Sequence, residues 1–506
     1  MTEAARAPRL GVGVKVSYGL GSVAQAVAGV ALSTSIINFY LVRVLGLRPA
    51  VVGVVILVSL VADAMLDPVI GRLSDTFRSR WGRRHPFMYA SALPIAAAIY
   101  FLWRQPEGLS HEALAAYVLA MLIVLRLCTG LYIIPSDALA PELAPDYHER
   151  TGLIGYRWFF GIVGGAAVTV VLLDVFLRQD AAHPLGMMNR SGYTQFGLLA
   201  ATVVFVSILV SSLATHRYIP YLRPAPQRRM SLGETVREIA AILSNPSLVV
   251  VIVSGLISGV AGGVSASLGN FMNLYFWGLS PQVIGAMIVF AAPASIVGVV
   301  LAPVLSRRLD KKRTMITVFL LSIFTGVIPV TLRLLGLLPS NGSPWIPPIL
   351  IADAFFSGTL GLIGFIIIGS MVADVADDSA VRTGVRSEGL LFAANGLLPK
   401  ITAGVGGLIG NLMLEAVHFP VGAPQGAGAA IDPEIMRHLV YLSLPVGVVL
   451  NVLAVGVLIF YKIDRGAHER NLEALGLAVA SLGEPPTALP TGAPPAAEPG
   501  SAGRPA

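Results

Sequence analysis

Charge is scarce in this chain. Only 12% of its 506 residues are Asp, Glu, Lys or Arg, about half of the roughly 25% usual in soluble domains. A soluble fold of this length needs a charged surface, so the composition excludes an ordinary soluble enzyme. Cysteine is almost absent. Cys128 stands alone, so no intrachain disulfide framework exists, and its apolar neighbours make it a small packing residue. Catalytic signatures are missing too. The chain has no His-Glu-x-x-His, no Walker-type glycine loop and no Cys/His zinc spacing. Enzyme chemistry and nucleotide-driven work by this chain alone are therefore not expected. Nor is a cleavable signal peptide evident. Residues 1–15 are polar with three basic side chains, and the apolar run behind them is too long for a signal h-region.

What the chain has is apolar length. Hydrophobic residues make up 55% of it, and the mean hydropathy is +0.76. A spanning helix needs about 20 mostly apolar residues. Twelve windows qualify: 17–42, 50–73, 86–103, 113–138, 153–177 and 194–215, then 247–276, 281–305, 314–337, 346–373, 389–416 and 438–461. An even number of spans puts both termini on one side. Basic residues say which side, because Lys and Arg collect on the cytoplasmic face. The amino end, the loops after even-numbered spans and the tail hold 25 of them, against 7 on the other side. Both termini are thus expected in the cytoplasm. The net charge of +7 follows from this loop bias and does not imply nucleic acid.

The polar stretch 216–245 divides the spans six and six. It opens with Pro220, Pro224 and Pro226 and continues as Ser231-Leu-Gly-Glu-Thr-Val-Arg-Glu-Ile. That last piece reads as a capped amphipathic helix on the membrane surface. The expected organisation is a first bundle over 1–215, a cytoplasmic linker over 216–245, a second bundle over 246–461 and a cytoplasmic tail over 462–506. The distal tail is rich in Pro, Ala and Gly and reads as disordered. A weak repeat supports two related halves. Asp67-Pro68-Val-Ile-Gly-Arg72 parallels Ala302-Pro303-Val-Leu-Ser-Arg307, and Arg150-Thr151-Gly152 parallels Arg382-Thr383-Gly384. The fold class is an all-α membrane protein, with twelve transmembrane helices in two six-helix bundles related by a parallel duplication.

Ionisable residues inside a bilayer are costly, so each one marks a functional hypothesis. Asp63 and Asp67 lie one turn apart in the second span, which puts both carboxylates on one helix face. They would repel each other unless a cation, a proton or a basic partner lies between them. Pro68 loosens the same turn. Arg126 in the fourth span is expected to face the interior and pair with an acid such as Asp63. Lys400 in the eleventh follows Pro399 and precedes Gly404, Gly406 and Gly407, small residues that let helices approach. A lysine there can reach a second-span acid across the halves. Arg157 can snorkel to the interface or face inward. Asp353 sits deeper in the tenth span. Tyr18, Gln25, Thr129, Tyr132, Asn270, Asn273 and Asn395 are polar candidates for lining a pathway. Asp137, Glu142, Asp374, Asp377 and Asp378 end spans near water and suit gate salt bridges. The turn Trp81-Gly-Arg-Arg-His-Pro86 supplies Arg83 and Arg84 as their partners.

These residues carry a resemblance. Asp63-Ala-Met-Leu-Asp67-Pro68, then Gly71, Asp75 and Arg78-Ser-Arg-Trp-Gly-Arg-Arg-His-Pro86, is similar to the glycoside–pentoside–hexuronide:cation symporters of the major facilitator superfamily. The likeness includes Lys15-Val-Ser-Tyr-Gly-Leu-Gly21, Pro135-Ser-Asp-Ala-Leu-Ala-Pro-Glu142 and Tyr147-His-Glu-Arg-Thr151. It continues through Tyr156-Arg157, Ala373-Asp-Val-Ala-Asp377, Arg386, Glu388-Gly389 and Lys400. It implies a major facilitator fold working by alternating access. Asp63, Asp67 and Thr129 would bind the coupling Na⁺ or H⁺. Lys400, Arg157, Arg126, Tyr132 and Gln25 would serve substrate binding or coupling. Asp75, Arg83, Arg84, Glu142, Arg150, Asp377 and Arg386 would form a cytoplasmic gate. The expected partners are a small solute, a monovalent cation and the lipid bilayer, with no cofactor and no nucleic acid. A monomer in a bacterial inner membrane completes the expectation.

Two departures bear on the solute. Sugar-binding members carry an acid in the first span where this chain has Ala26, and another in the fourth where it has Ile133. Without those acceptors a buried site discriminates poorly for a polyol. A less polar solute, such as a lysolipid or a glycosylated natural product, therefore stays open. So do proton-driven export and, in another class, a non-transporting membrane receptor. Leu60 also stands where the family often has an arginine, a charge that Arg126 can supply from the fourth span.

Overall fold

Apolar runs of this length cannot leave their backbone polar groups unpaired in lipid, and a helix satisfies them internally. The chain accordingly forms twelve helices long and apolar enough to cross a membrane. They are spans one to twelve: Val12–Val44, Pro49–Thr76, His85–Trp103, His111–Leu143, His148–Phe176, Arg190–His216, Pro246–Phe276, Pro281–Leu309, Lys311–Leu334, Ile346–Val375, Gly396–Ala416 and Pro433–Leu458. This computed structural model describes residues 10–180, 183–222, 245–383, 388–422, 431–463, and 466, 469, 470 and 473. Most of the 216–245 linker, including its expected surface helix, lies outside the described residues, as does the distal tail. Among the described residues no strand occurs.

Local chemistry sets the helix starts. Ser110, Asp146, Asn189 and Ser280 accept backbone N–H bonds from Ala113, Glu149, Gly192 and Val283, as good N-caps do. Pro49, Pro246, Pro281 and Pro433 sit in first turns, where the missing N–H costs nothing. Span one differs from its expected single run. It breaks at Leu32–Ser33, resumes over Thr34–Phe39 and ends in a π-helical turn, Tyr40–Val44. Span seven ends in a π-helical turn at the corresponding place, Met272–Phe276. Leu47 N–H bonds to Leu41 O, and Leu279 N–H to Asn273 O, closing both ends alike. This shared irregularity repeats at the spacing of the sequence duplication.

Small residues decide where helices meet. Spans seven and eleven cross so closely that a Cβ on Gly406 would lie 2.1 Å from Val260 O and 2.8 Å from Gly263 Cα. Span two lies along span eleven, joining the halves. A Cβ on Gly404 would fall 2.9 Å from Leu57, and one on Gly53 2.9 Å from Asn411. Span one reaches span seven through Asn38, whose Nδ2 donates to Ser267 O at 2.8 Å and Ser267 Oγ at 2.9 Å. Asn411 Nδ2 donates to the same Oγ at 3.3 Å. Small residues and interhelical hydrogen bonds are what hold helices together where lipid removes the hydrophobic driving force.

Gly406→Ala should lower stability by ~1–3 kcal/mol, the usual cost of overpacking, because its new methyl meets backbone. Gly456→Ala, whose Cβ meets nothing within 4 Å, should not. Thermal unfolding of the purified variants in detergent checks the contrast.

Candidate functional site

The two acids of span two meet two bases. Lys400 Nζ lies 2.8 Å from Asp63 Oδ2 and 2.6 Å from Asp67 Oδ2. Arg126 Nη1 lies 3.5 Å from the same Asp63 oxygen, and Arg126 Nε donates to Ser59 Oγ at 3.3 Å. The formal charges cancel, which is the condition for keeping such groups in a low-dielectric interior. Asp63, Asp67 and Arg126 belong to the first half, whereas Lys400 comes from span eleven. The close packing at Gly404 brings its backbone within reach. A cavity of about 400 Å³ adjoins the cluster, lined also by Gln25, Gly29, Thr129, Gly130, Ile133 and Ile134. Thr129 Oγ1 is buried there without a hydrogen-bond partner. Two carboxylates and a spare hydroxyl form an all-oxygen donor set suited to a hard cation.

A larger cavity of about 700 Å³ lies between spans one, four and five. Arg157 stands in its wall and does not snorkel to the interface. It pairs with Asp137 and donates to Tyr18 OH at 2.8 Å and Ser136 Oγ at 3.2 Å. Its guanidinium lies 5.1 Å from the centre of the Tyr18 ring. Gln25 borders both cavities, and Ala26 links the larger one to a third of about 370 Å³ that reaches Asn270 of span seven. Ala26 and Ile133 present only methyl and methylene groups. Tyr132 departs from its expected place. It is 2% exposed and points into the first bundle, where a Cβ on Gly21 would touch its hydroxyl. That position suits packing among spans one, four and six, not contact with solute.

The two ends of the molecule differ. The face carrying the basic loops is called the basic face here. Arg83 and Arg84 both pair with Glu142, and Arg84 also reaches Asp75 at 3.3 Å. Burial pushes the Arg84 guanidinium below its usual pKa, and Glu142 pulls it back. These pairs stay within the first half, as does Lys15 with Glu149. Lys311 with Asp374 stays within the second. Arg150 lines the large cavity and forms no ion pair among the described residues. Asp377 is half-buried and engaged in a contact. Arg386 and the side chain of Asn395 lie outside the described residues.

The opposite face is tied shut across the halves. Arg43, 2% exposed, donates to Pro420 O at 2.7 Å, Gly422 O at 2.9 Å and Tyr275 OH at 2.9 Å. It also sits over the rings of Tyr275 and Phe419. Arg48 pairs with Glu415 at 2.6 Å. Gly46 and Gly422 approach each other with positive φ, a conformation that glycine adopts freely. Arg43 is one of the seven Lys and Arg residues on the less basic side, and in the sequence it reads only as a topology charge. Its signal was faint: one arginine in an apolar run, just before a glycine.

Comparison with known proteins gives consistent matches. Residues 17–465 match the family described as MFS/sugar transport protein. The chain is 25% identical, over 92% of its length and 97% of the relative's, to an uncharacterized symporter of Synechocystis sp.. It is 24% identical to the isoprimeverose transporter of Lactiplantibacillus pentosus, covering 89% of this chain and 88% of that one. Among solved structures, a D-xylose-proton symporter superposes with a TM-score of 0.60 at 15% identity, over 89% of this chain and 98% of that one. That last likeness is one of fold.

Arg43→Gln removes a buried charged donor that holds three acceptors of the other half. Charged hydrogen bonds contribute ~1.5–3 kcal/mol each, so the closed face should open at least tenfold more often. Labelling of a cysteine placed at Ser35, which lines the 370 Å³ cavity behind that face, by an impermeant maleimide applied from that face should speed up accordingly.

Proposed function

Since the chain belongs to the MFS/sugar transport protein family, the glycoside–cation symporter branch of the major facilitator superfamily, we propose that it is a cation-coupled symporter whose ion site is Asp63 and Asp67. It is an integral, multi-pass membrane protein and a secondary transporter, and its matched relatives are transporters, not enzymes. One observation carries the coupling proposal: a lysine of the second half holds both acids of the first.

The cluster is neutral as it stands, so an added Na⁺ or H⁺ leaves an excess positive charge in a poorly screened space. Arg126 cannot shed its charge. Lys400 can withdraw, because its ammonium sits on a flexible stem. Ion and lysine therefore compete for the acid pair, and ion binding loosens a tie between spans two and eleven. The halves can then rock about a central solute, as alternating access requires. Thr129 adds a third oxygen for Na⁺. Arg157, braced by Asp137 and Tyr18, presents its remaining edge to solute in the 700 Å³ cavity. If solute favours the ion-bound form, linkage makes the ion favour solute binding equally.

The excess of loop Lys and Arg supports a cytoplasmic basic face, and a bacterial inner membrane is the setting proposed with it. The Arg43 closure then faces outward, and the large cavity is inward-facing. The solute is a small organic molecule. A glycoside is the reading that the family favours, whereas Ala26 and Ile133 favour something less polar.

The ion site can be tested without knowing the solute. Proteoliposomes on a solid-supported membrane should give a charge displacement on a Na⁺ jump or a pH jump. Asp63→Asn should abolish at least nine-tenths of it, and Lys400→Gln should leave ion binding but uncouple it from solute flux. Undiminished charge displacement in Asp63→Asn would sink the assignment.

A further inference from the structure

The two halves are not filled alike. Among spans one, three and six the interior is plugged by aromatic rings. Tyr40, Trp103 and Tyr193 are fully buried there. The Tyr40 ring centre lies 4.9 Å from that of Trp103 and 4.5 Å from that of Tyr193, and the last two rings stack at 5.3 Å. Spans seven, nine and twelve take the same order in the second half, and the space among them is a cavity of about 370 Å³. Tyr40 opens the π-helical turn of span one, whereas Met272 opens that of span seven. Gly326 of span nine and Gly447 of span twelve widen the space further, since a Cβ on either would meet nothing within 4 Å. Glycine in a spanning helix ordinarily lets a neighbour approach, and here both face open room.

Among the described residues no Asp, Glu, Lys, Arg or His borders this cavity, so a charged guest would find no counter-charge. Polar groups stand at its two ends. Asn273 lies near the closed face, and Ser265, Ser322 and Asn451 lie toward the basic face. From Ser265 to Asn273 the helix rises ~12 Å. The wall between is apolar apart from Ser443, with Leu268, Ile323 and Leu444. Small-molecule sites have this make-up, mostly apolar with a few placed polar groups. Ser265 is exposed, which gives the cavity a mouth at that end. Asn451 Nδ2 donates to Gly447 O at 2.8 Å, which leaves its Oδ1 as an acceptor. Half-buried Asn273 makes no side-chain hydrogen bond among the described residues, a costly state for an amide in such surroundings. Asn273 also sits in the turn Met272–Phe276 with Tyr275, the phenol that accepts from Arg43 Nε at 2.9 Å. A guest that holds Asn273 therefore holds the turn in the shape that closes that face.

We propose that this cavity is a second binding site, inside the second half alone, for an uncharged, elongated molecule with a hydroxyl at each end. One hydroxyl bonds to Asn273 and the other to Asn451, and occupancy stabilises the Arg43 closure through the turn that carries Tyr275. The rings of an aromatic diol would lie against Met272 and Trp277 in the wall, contacts that thioether and indole both favour. The site shares no lining residue with the ion cluster or the 700 Å³ cavity, so its guest is a regulator and not the cargo.

The test titrates 4,4′-biphenol calorimetrically into the full chain in lipid nanodiscs, with the heat of empty nanodiscs subtracted. The controls are 4-phenylphenol, which has one hydroxyl, and biphenyl-4,4′-dicarboxylate, which is charged. Both should bind about tenfold more weakly or worse. Gly447→Leu, whose new side chain enters open space, should abolish binding, and thermal unfolding checks that it folds. Asn273→Leu and Asn451→Leu should each weaken the probe about tenfold, or ~1.4 kcal/mol. Arg43 and Tyr275 lie outside the cavity wall. Because coupling is reciprocal, Arg43→Gln and Tyr275→Phe should still weaken the probe about fivefold, the low end of ordinary allosteric coupling. No binding to wild type overturns the proposal, as does equal binding of the dicarboxylate or unchanged affinity in Gly447→Leu. Unchanged affinity in both Arg43→Gln and Tyr275→Phe overturns the link to the closure. Ion-driven charge displacement is read separately. Displacement without probe binding refutes this site and leaves the symporter reading intact, and binding without displacement does the reverse.

Discussion

Two carboxylates one helical turn apart in hydrocarbon need a compensating charge, and the architecture is arranged around supplying it. Removing one partner strands the other's charge in a partly buried site. Asp63 and Asp67 draw on Arg126 from the same half and on Lys400 from the other. For Lys400 to arrive, span eleven must lie against span two, and the glycines at 53 and 404 make that approach sterically possible. The electrostatic requirement and the small-residue seam therefore depend on each other. The pair tie that stabilises this conformation is also the tie a transported ion would have to replace.

The remaining contacts between halves are graded from one face to the other. On the closed face Arg43 is satisfied by two carbonyls, a phenol and two aromatic rings, with no carboxylate involved. Midway, Asn38, Ser267 and Asn411 share hydrogen bonds across the halves. At the basic face the ion pairs among the described residues close on themselves, within one half or the other. The π-helical ends of spans one and seven fit the same picture. They place Arg43 and Tyr275 side by side from equivalent positions of a duplicated unit.

Much of the fold was legible in the chain because lipid makes the reading rules strict. Twelve spans followed from apolar length, and the bounds of most fell within a few residues of the helices. The break at Leu32–Ser33 did not, because neither residue forbids a helix and the bend depends on how span one meets span seven. Asp63, Asp67, Arg126 and Lys400 stood out because charge is rare in the bilayer. Arg43 escaped notice because it lies at a span end, where arginines ordinarily serve topology. Tyr132 and Tyr18 look alike in sequence. Both are buried, Tyr18 against Arg157 from span one and Tyr132 among spans one, four and six from span four, and only the packing of the spans separates their roles.

By itself the sequence determined that this is a twelve-span membrane protein with a few charges inside its spans, because hydropathy and intramembrane charge are properties of the linear chain. Which charges touch was decided only by the tertiary structure, since Lys400 and Asp67 are 333 residues apart. Close approach, exposure and cavity shape are sums over helices that meet in space, and no single stretch of residues encodes them.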